Sequence, residues 1–210
     1  MVVVLLVTLL FSNTMGVQAQ CNTTEREATS SEINHLRSSY LKKKESAVYE
    51  RKMGKCNISR NGIKKQDKWE YPKRRGVILV TADFYRGLIP SGHSAIVLSK
   101  SNVIESLSNG VVKGKNNWNE KKKDCSAVTP YKTTVNQDKK AADYAENQKG
   151  KPYNWNFFDV NTTKKYYCSQ LVWQAFKKKG NVDLNTDFFG QVVYPLELAN
   201  TDETYFIYVK

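Results

Sequence analysis

Apolar and polar positions sort into short, separable blocks along the chain. Val2 to Phe11 is a ten-residue run, apolar except for Thr8, followed by small and polar residues ending in Val17-Gln-Ala19. Ser30 to Arg51 has helical periodicity: Ile33, Leu36, Tyr40 and Leu41 share one narrow face, Ser30 and Ser31 are candidate caps, and Glu32 sits in the first turn. Such a helix lies on a domain or forms an arm beside it. From Gly76 the period changes to that of strands. Gly76-Val-Ile-Leu-Val-Thr81 is bounded by Gly and Asp, and two further β-rich segments, Gly92 to Ser99 and Asn102 to Leu107, flank a turn at Lys100-Ser101. Val111-Val112 and Ala127 to Thr133 read as strands, and Thr204 to Val209 closes the chain as another. Gln137 to Gln148 reads as a helix with Ala141, Ala142 and Ala145 inward, stopped by Gly150-Lys-Pro152. In the clearest helix, Cys168 to Lys179, the residues Cys168, Leu171, Val172, Ala175 and Phe176 share a face, and Gly180 ends it. Strands grouped between early and late helices predict an α+β fold with an antiparallel sheet.

The N-terminal run is too short for a bilayer, which needs about 20 apolar residues. With small residues at its end it predicts a signal peptide, residues 1–19, although no Lys or Arg precedes it; a buried N-terminal strand is the alternative. Residues 20–75 then form a basic helical N-terminal extension, and 76–210 the main domain. This predicts a secreted, cell-surface or cell-wall protein.

The chain has 210 residues, with 33 Lys plus Arg against 20 Asp plus Glu, a formal charge of +13. That length suits one core, and the charge points to an anionic partner such as a cell-wall polymer or a membrane surface. Nucleic acid is not expected, since no helix-turn-helix or RNA-binding signature is present. Cys21, Cys56, Cys125 and Cys168 lie too far apart for paired metal-ligand spacing, so neither metal nor cofactor is expected. In an exported chain two of Cys21, Cys56 and Cys125 could pair as a disulfide, and the sequence does not choose which. Asn22, Asn57 and Asn161 begin glycosylation sequons. A monomer is expected.

Of two histidines, only His93 stands in a strand. Glu105, twelve residues on, interrupts the next one. If these strands pair as a hairpin, alternation puts both side chains on one face within reach. Taken alone, such a pair also fits a structural or surface role. Cys168 opens a helix, where free N–H groups and the positive dipole end favour a thiolate and can hold an oxyanion. It also continues the apolar stripe of its helix, so a core cysteine is the competing reading. The three residues supply a nucleophile, a base and an orienting carboxylate. Tyr153, Trp155, Phe157, Phe158 and Tyr167 cluster just before this helix, either as an acceptor groove or as core. Trp118, among asparagines, is expected at the surface.

Ser91-Gly-His-Ser-Ala-Ile-Val97, Val103-Ile-Glu-Ser106 and Tyr166-Tyr-Cys-Ser-Gln-Leu-Val-Trp173 resemble the circularly permuted papain-like cysteine amidases, the YiiX/YycO-like permuted branch of the NlpC-type superfamily. Gly76 to Thr81, Lys151-Pro-Tyr-Asn-Trp155 and Tyr194-Pro-Leu196 fit the same pattern. The order His, Glu, then a distant Cys marks the permuted branch, and one departure is Val77, where many relatives carry an acidic residue. The resemblance covers residues 76–209. It implies a permuted papain-like fold with an antiparallel sheet against the cysteine helix. It further implies Cys168 as nucleophile, His93 as base, Glu105 as its orienting group and the Cys168 backbone N–H as oxyanion donor. Tyr153, Trp155 and Tyr167 become candidate substrate-binding residues. The implied substrates are peptidoglycan peptides or, in other relatives, acyl-amide lipids; a cationic wall-binding module without catalysis is the non-enzymatic alternative.

Overall fold

The computed structural model describes residues 26–54, 69–83 and 92–210. Residues 1–19, expected to be a signal peptide, and Cys21, Cys56 and the sequons at Asn22 and Asn57 lie outside them. Among the described residues, six strands form one antiparallel sheet: β1 (Ile78–Thr81), β2 (His93–Val97), β3 (Asn102–Leu107), β4 (Gly110–Lys115), β5 (Ser126–Pro130) and β6 (Thr204–Val209), in the order β4-β3-β2-β1-β5-β6. The helices are α1 (Ser30–Lys52), α2 (Trp118–Lys121), α3 (Val135–Glu146), α4 (Cys168–Lys179) and α5 (Glu197–Asn200). None of them is long and apolar enough to cross a membrane. The α+β expectation holds.

Strand alternation divides the core. Ile78, Val80, Ile96, Ile104 and Val128 face one way and join Leu171, Val172, Ala175 and Phe176 of α4 and the three alanines of α3. Val77, Leu79, Ala95, Val97, Val103 and Ala127 face the other way, with Trp118 and Cys125. Each large side chain buried along α4 contributes about 1.5–3 kcal/mol, enough to fix the helix against the sheet.

The N-cap of α1 is Thr29 rather than Ser30 or Ser31. Its hydroxyl accepts the Glu32 N–H at 3.3 Å while the Glu32 carboxylate accepts the Thr29 N–H at 2.8 Å. Of the expected apolar face, Leu36 and Tyr40 are buried but Leu41 is exposed, because the helix rotates the narrower pair onto α5 and β6. The hydroxyl of Tyr40 lies 2.8 Å from Ser126 Oγ and donates to Asp124 at 3.0 Å; Lys44 pairs with the same carboxylate. Asp124 in turn accepts the Ala82 N–H at 2.8 Å, so α1 is tied to the end of β1. β5 stops at Pro130, short of the expected Thr133, and Thr134 caps α3 through Gln137.

Candidate active site

β2 begins one residue after a glycine, and the local geometry requires it. Gly92 has φ 108°, and a Cβ there would lie 2.0 Å from the Thr81 carbonyl oxygen. This close approach sets His93 opposite Thr81 at the end of the sheet. β2 and β3 pair through Ile96 with Ile104 and Val97 with Val103. Continuing that register makes His93 and Glu105 diagonal neighbours on one face. His93 Nε2 and Glu105 Oε2 are 2.8 Å apart.

Cys168 is the first residue of α4, and the side chain of Gln170 holds that helix start in place. Its Oε1 accepts the Tyr167 N–H at 3.1 Å and an Asn154 Nδ2–H at 3.0 Å, and its Nε2 donates to the carbonyls of Asp159 and Val160, both at 3.0 Å. Ser169 donates to the Val193 carbonyl at 2.6 Å, and the Tyr167 hydroxyl accepts the Val193 N–H at 3.2 Å. The start of α4 thus abuts the start of β2. The Cys168 thiol and the His93 ring lie near enough to interact electrostatically, and the Ser94 backbone adjoins the sulfur. With Nε2 engaged by Glu105, Nδ1 is the ring nitrogen left to serve the sulfur.

Electrostatics follow from this contact. Burial opposes the charged imidazole, but the sulfur and the carboxylate on either side outweigh it and hold His93 at about 9. Burial likewise opposes the thiolate, yet the His93 charge, its hydrogen bond and the Ser94 N–H bring the Cys168 thiol below its ordinary value. Cys125 is the contrast: a free cysteine whose burial pushes it up to about 12. Cys125 is a buried free thiol, and the other two candidates for a disulfide, Cys21 and Cys56, lie outside the described residues.

The sequence-derived trio of Cys168, His93 and Glu105 therefore converges. Cys168 and His93 are both buried, with no exposed surface. Among the aromatic candidates, Tyr153 is 4% and Tyr167 0% exposed; both are walls of the core. Trp155, tilted against Tyr153 at 4.6 Å, is 57% exposed. Trp118 corrects the expectation of a surface residue: it is buried and stacks on His93, ring centroids 5.3 Å apart at 25°. A four-residue helix carries no periodic signal, so the sequence could not show this. Gly114 was also missed; a Cβ there would lie 1.9 Å from Glu105 Oε1. Among the described residues, no three His, Cys, Asp or Glu side chains gather as a metal site would require.

Residues 82–203 match a family described as permuted papain-like amidase enzymes, YaeF/YiiX, C92 family. An uncharacterized protein, YycO of Bacillus subtilis (strain 168), is 29% identical over 124 residues, 57% of this chain and 50% of that protein, so the chain spans half the length of this curated relative. The crystal structure of metalloprotein yiiX from Escherichia coli O157:H7 shares the fold, with a TM-score of 0.53 at 16% identity over 67% of this chain and 99% of that one.

Proposed function

Because the chain belongs to the permuted papain-like amidase family, we propose that it is an amide hydrolase working by a Cys-His-Glu mechanism, most simply on peptidoglycan peptides outside the cell. The observation that carries the mechanism is the 2.8 Å contact of Glu105 with the His93 ring, together with the electrostatic coupling of that ring to the Cys168 sulfur. Glu105 accepts the Nε2–H and fixes the tautomer that presents Nδ1 to the thiol. His93 takes the thiol proton and the thiolate attacks the amide carbon. The tetrahedral oxyanion meets the N–H groups at the start of α4, that of Cys168 foremost, each such donor contributing about 2.7–4 kcal/mol in acyl-transfer enzymes. The imidazolium then protonates the amide nitrogen, the C–N bond breaks, and an amine leaves a thioester on Cys168. Water, deprotonated by His93, attacks the thioester; the C–S bond breaks and releases a carboxylic acid with the thiol restored.

The wall-peptide substrate and export are supported by the charge of +13, which suits an anionic polymer, and by the apolar N-terminal stretch. The test is to incubate the purified protein with muropeptides and, separately, with acyl-amide lipids, and to identify products by mass spectrometry, with Cys168→Ala as control. Cleaved muropeptides that persist with the control absent of activity support the proposal. Cleavage of the lipids alone transfers the reading to acyl-amide substrates, and cleavage by Cys168→Ala refutes the mechanism.

A further inference from the structure

The His93–Glu105 pair receives two contributions from a segment with no proposed part in the chemistry, the arm formed by β4 and α2. On β4, Gly114 pairs with Val103 and Val112 with Glu105, so Gly114 lies diagonal to the carboxylate. The Oε1 of Glu105 occupies the volume that any side chain at 114 would fill, its distance to an added Cβ being 1.9 Å. Four residues on, Trp118 covers the face of the His93 ring at 5.3 Å and is itself 4% exposed. Its backbone N–H donates to the Tyr71 hydroxyl at 3.0 Å, which fixes the start of α2, and the Lys122 ammonium lies 5.3 Å from its ring centroid.

We propose that Gly114 and Trp118 are positioning residues for the catalytic base, Gly114 by leaving the space in which Glu105 reaches His93 and Trp118 by stacking on the imidazole and shielding its charged form from water. An aromatic face stabilises a cation held against it, and more so where water is excluded. Among the described residues, the groups near the His93 ring include Glu105 and Cys168, with Trp118 stacked on its face and Lys122 beyond the indole. The obstruction at Gly114 is specific to the site: the atom that must yield is the end of a flexible carboxylate, with Val103 Cγ2 next at 3.2 Å, so Gly114→Ala displaces Glu105 while the strand pairing can stay.

The inference rests on His93 as the base, but its test does not require a substrate. The chain has two histidines, so the His93 ring can be followed by NMR of the ¹⁵N-labelled full chain, with His35→Gln to assign it. Trp118→Leu is expected to lower the His93 pKa from about 9 by roughly half a unit to one and a half units, and Trp118→Phe by less, since a ring remains. Gly114→Ala is expected to lower it in the native background and to add nothing once Glu105→Gln is present, because it acts through that carboxylate. Unchanged His93 titration in folded Trp118→Leu and Gly114→Ala overturns the proposal. So does a Gly114→Ala shift that persists in full with Glu105→Gln. Should Trp118→Leu not fold, Trp118→Phe and the Gly114 cycle decide. If no amide is cleaved under any condition, the catalytic reading fails while the titrations still judge this one.

Discussion

The carboxylate of Glu197, wholly buried, accepts hydrogen bonds from the backbone N–H of Tyr194 at 2.6 Å and from the Thr186 hydroxyl. Through this contact α5 holds the segment whose Val193 is stapled to Tyr167 and Ser169 at the start of the nucleophile helix. Burial outweighs these hydrogen bonds and, with Asp187 nearby, raises Glu197 to about 7 from an ordinary 4.5. The folded state therefore binds this proton more tightly than the unfolded state. Its stabilising effect is fully present below about pH 4.5 and is lost as pH rises through about 7, a difference of about 3 kcal/mol. Urea denaturation between pH 5 and 8 should show this decline, and Glu197→Gln should flatten it. An unaltered slope in that variant would contradict the assignment.

Activity should divide the trio by role. Cys168→Ala removes the attacking atom and should lower kcat/KM by about 10⁴-fold or more. His93→Ala should do nearly the same, since nucleophile and base act as a unit. Glu105→Gln keeps the shape and loses the charge, so a fall of about 10²-fold is expected. Rates on whichever amide the product analysis identifies measure all three.

The two described cysteines should separate sharply in chemical reactivity. With the Cys168 thiol lowered by His93 and Cys125 raised to about 12, iodoacetamide near pH 7 should modify Cys168 and leave Cys125 untouched in the folded protein. His93→Ala should slow Cys168 labelling over the same range. Peptide mass spectrometry after timed quenching resolves the sites.

The pH profile of kcat/KM should be bell-shaped. Its acid limb follows formation of the Cys168 thiolate, and its alkaline limb, near pH 9, follows loss of the proton that His93 must give to the leaving amine. Glu105→Gln should move the alkaline limb to lower pH, because it removes one of the charges sustaining the imidazolium.

The first helix should behave as part of the folding unit. Tyr40 is fully buried, and Tyr40→Ala is expected to cost about 3–5 kcal/mol. Tyr40→Phe, which strips a hydroxyl from Asp124 and Ser126, should cost about 1–3 kcal/mol. Both should shift a single cooperative urea transition followed by near-UV circular dichroism. A transition that stays in place while only helical signal is lost would make α1 an independent arm.

Much of this molecule was written in its local patterns. The helical spacing from Cys168 to Phe176 set Cys168 at a helix start, because an apolar stripe at that period can be buried in only one way. Strand alternation around His93 and Glu105 put both side chains on one face. These are short-range consequences of backbone geometry, and one chain suffices to read them. The tertiary structure decided what depends on the volume between elements distant in sequence. Trp118 lies on His93 only because β4 and α2 return across the sheet, and Gly114 matters for a side chain it lacks, in a space filled by Glu105. Leu41 turned outward and Tyr40 inward because Asp124, just before β5, and Ser126, on it, meet the Tyr40 hydroxyl. The sequence thus determined which atoms could react; packing across the sheet determined that they meet, and what surrounds them when they do.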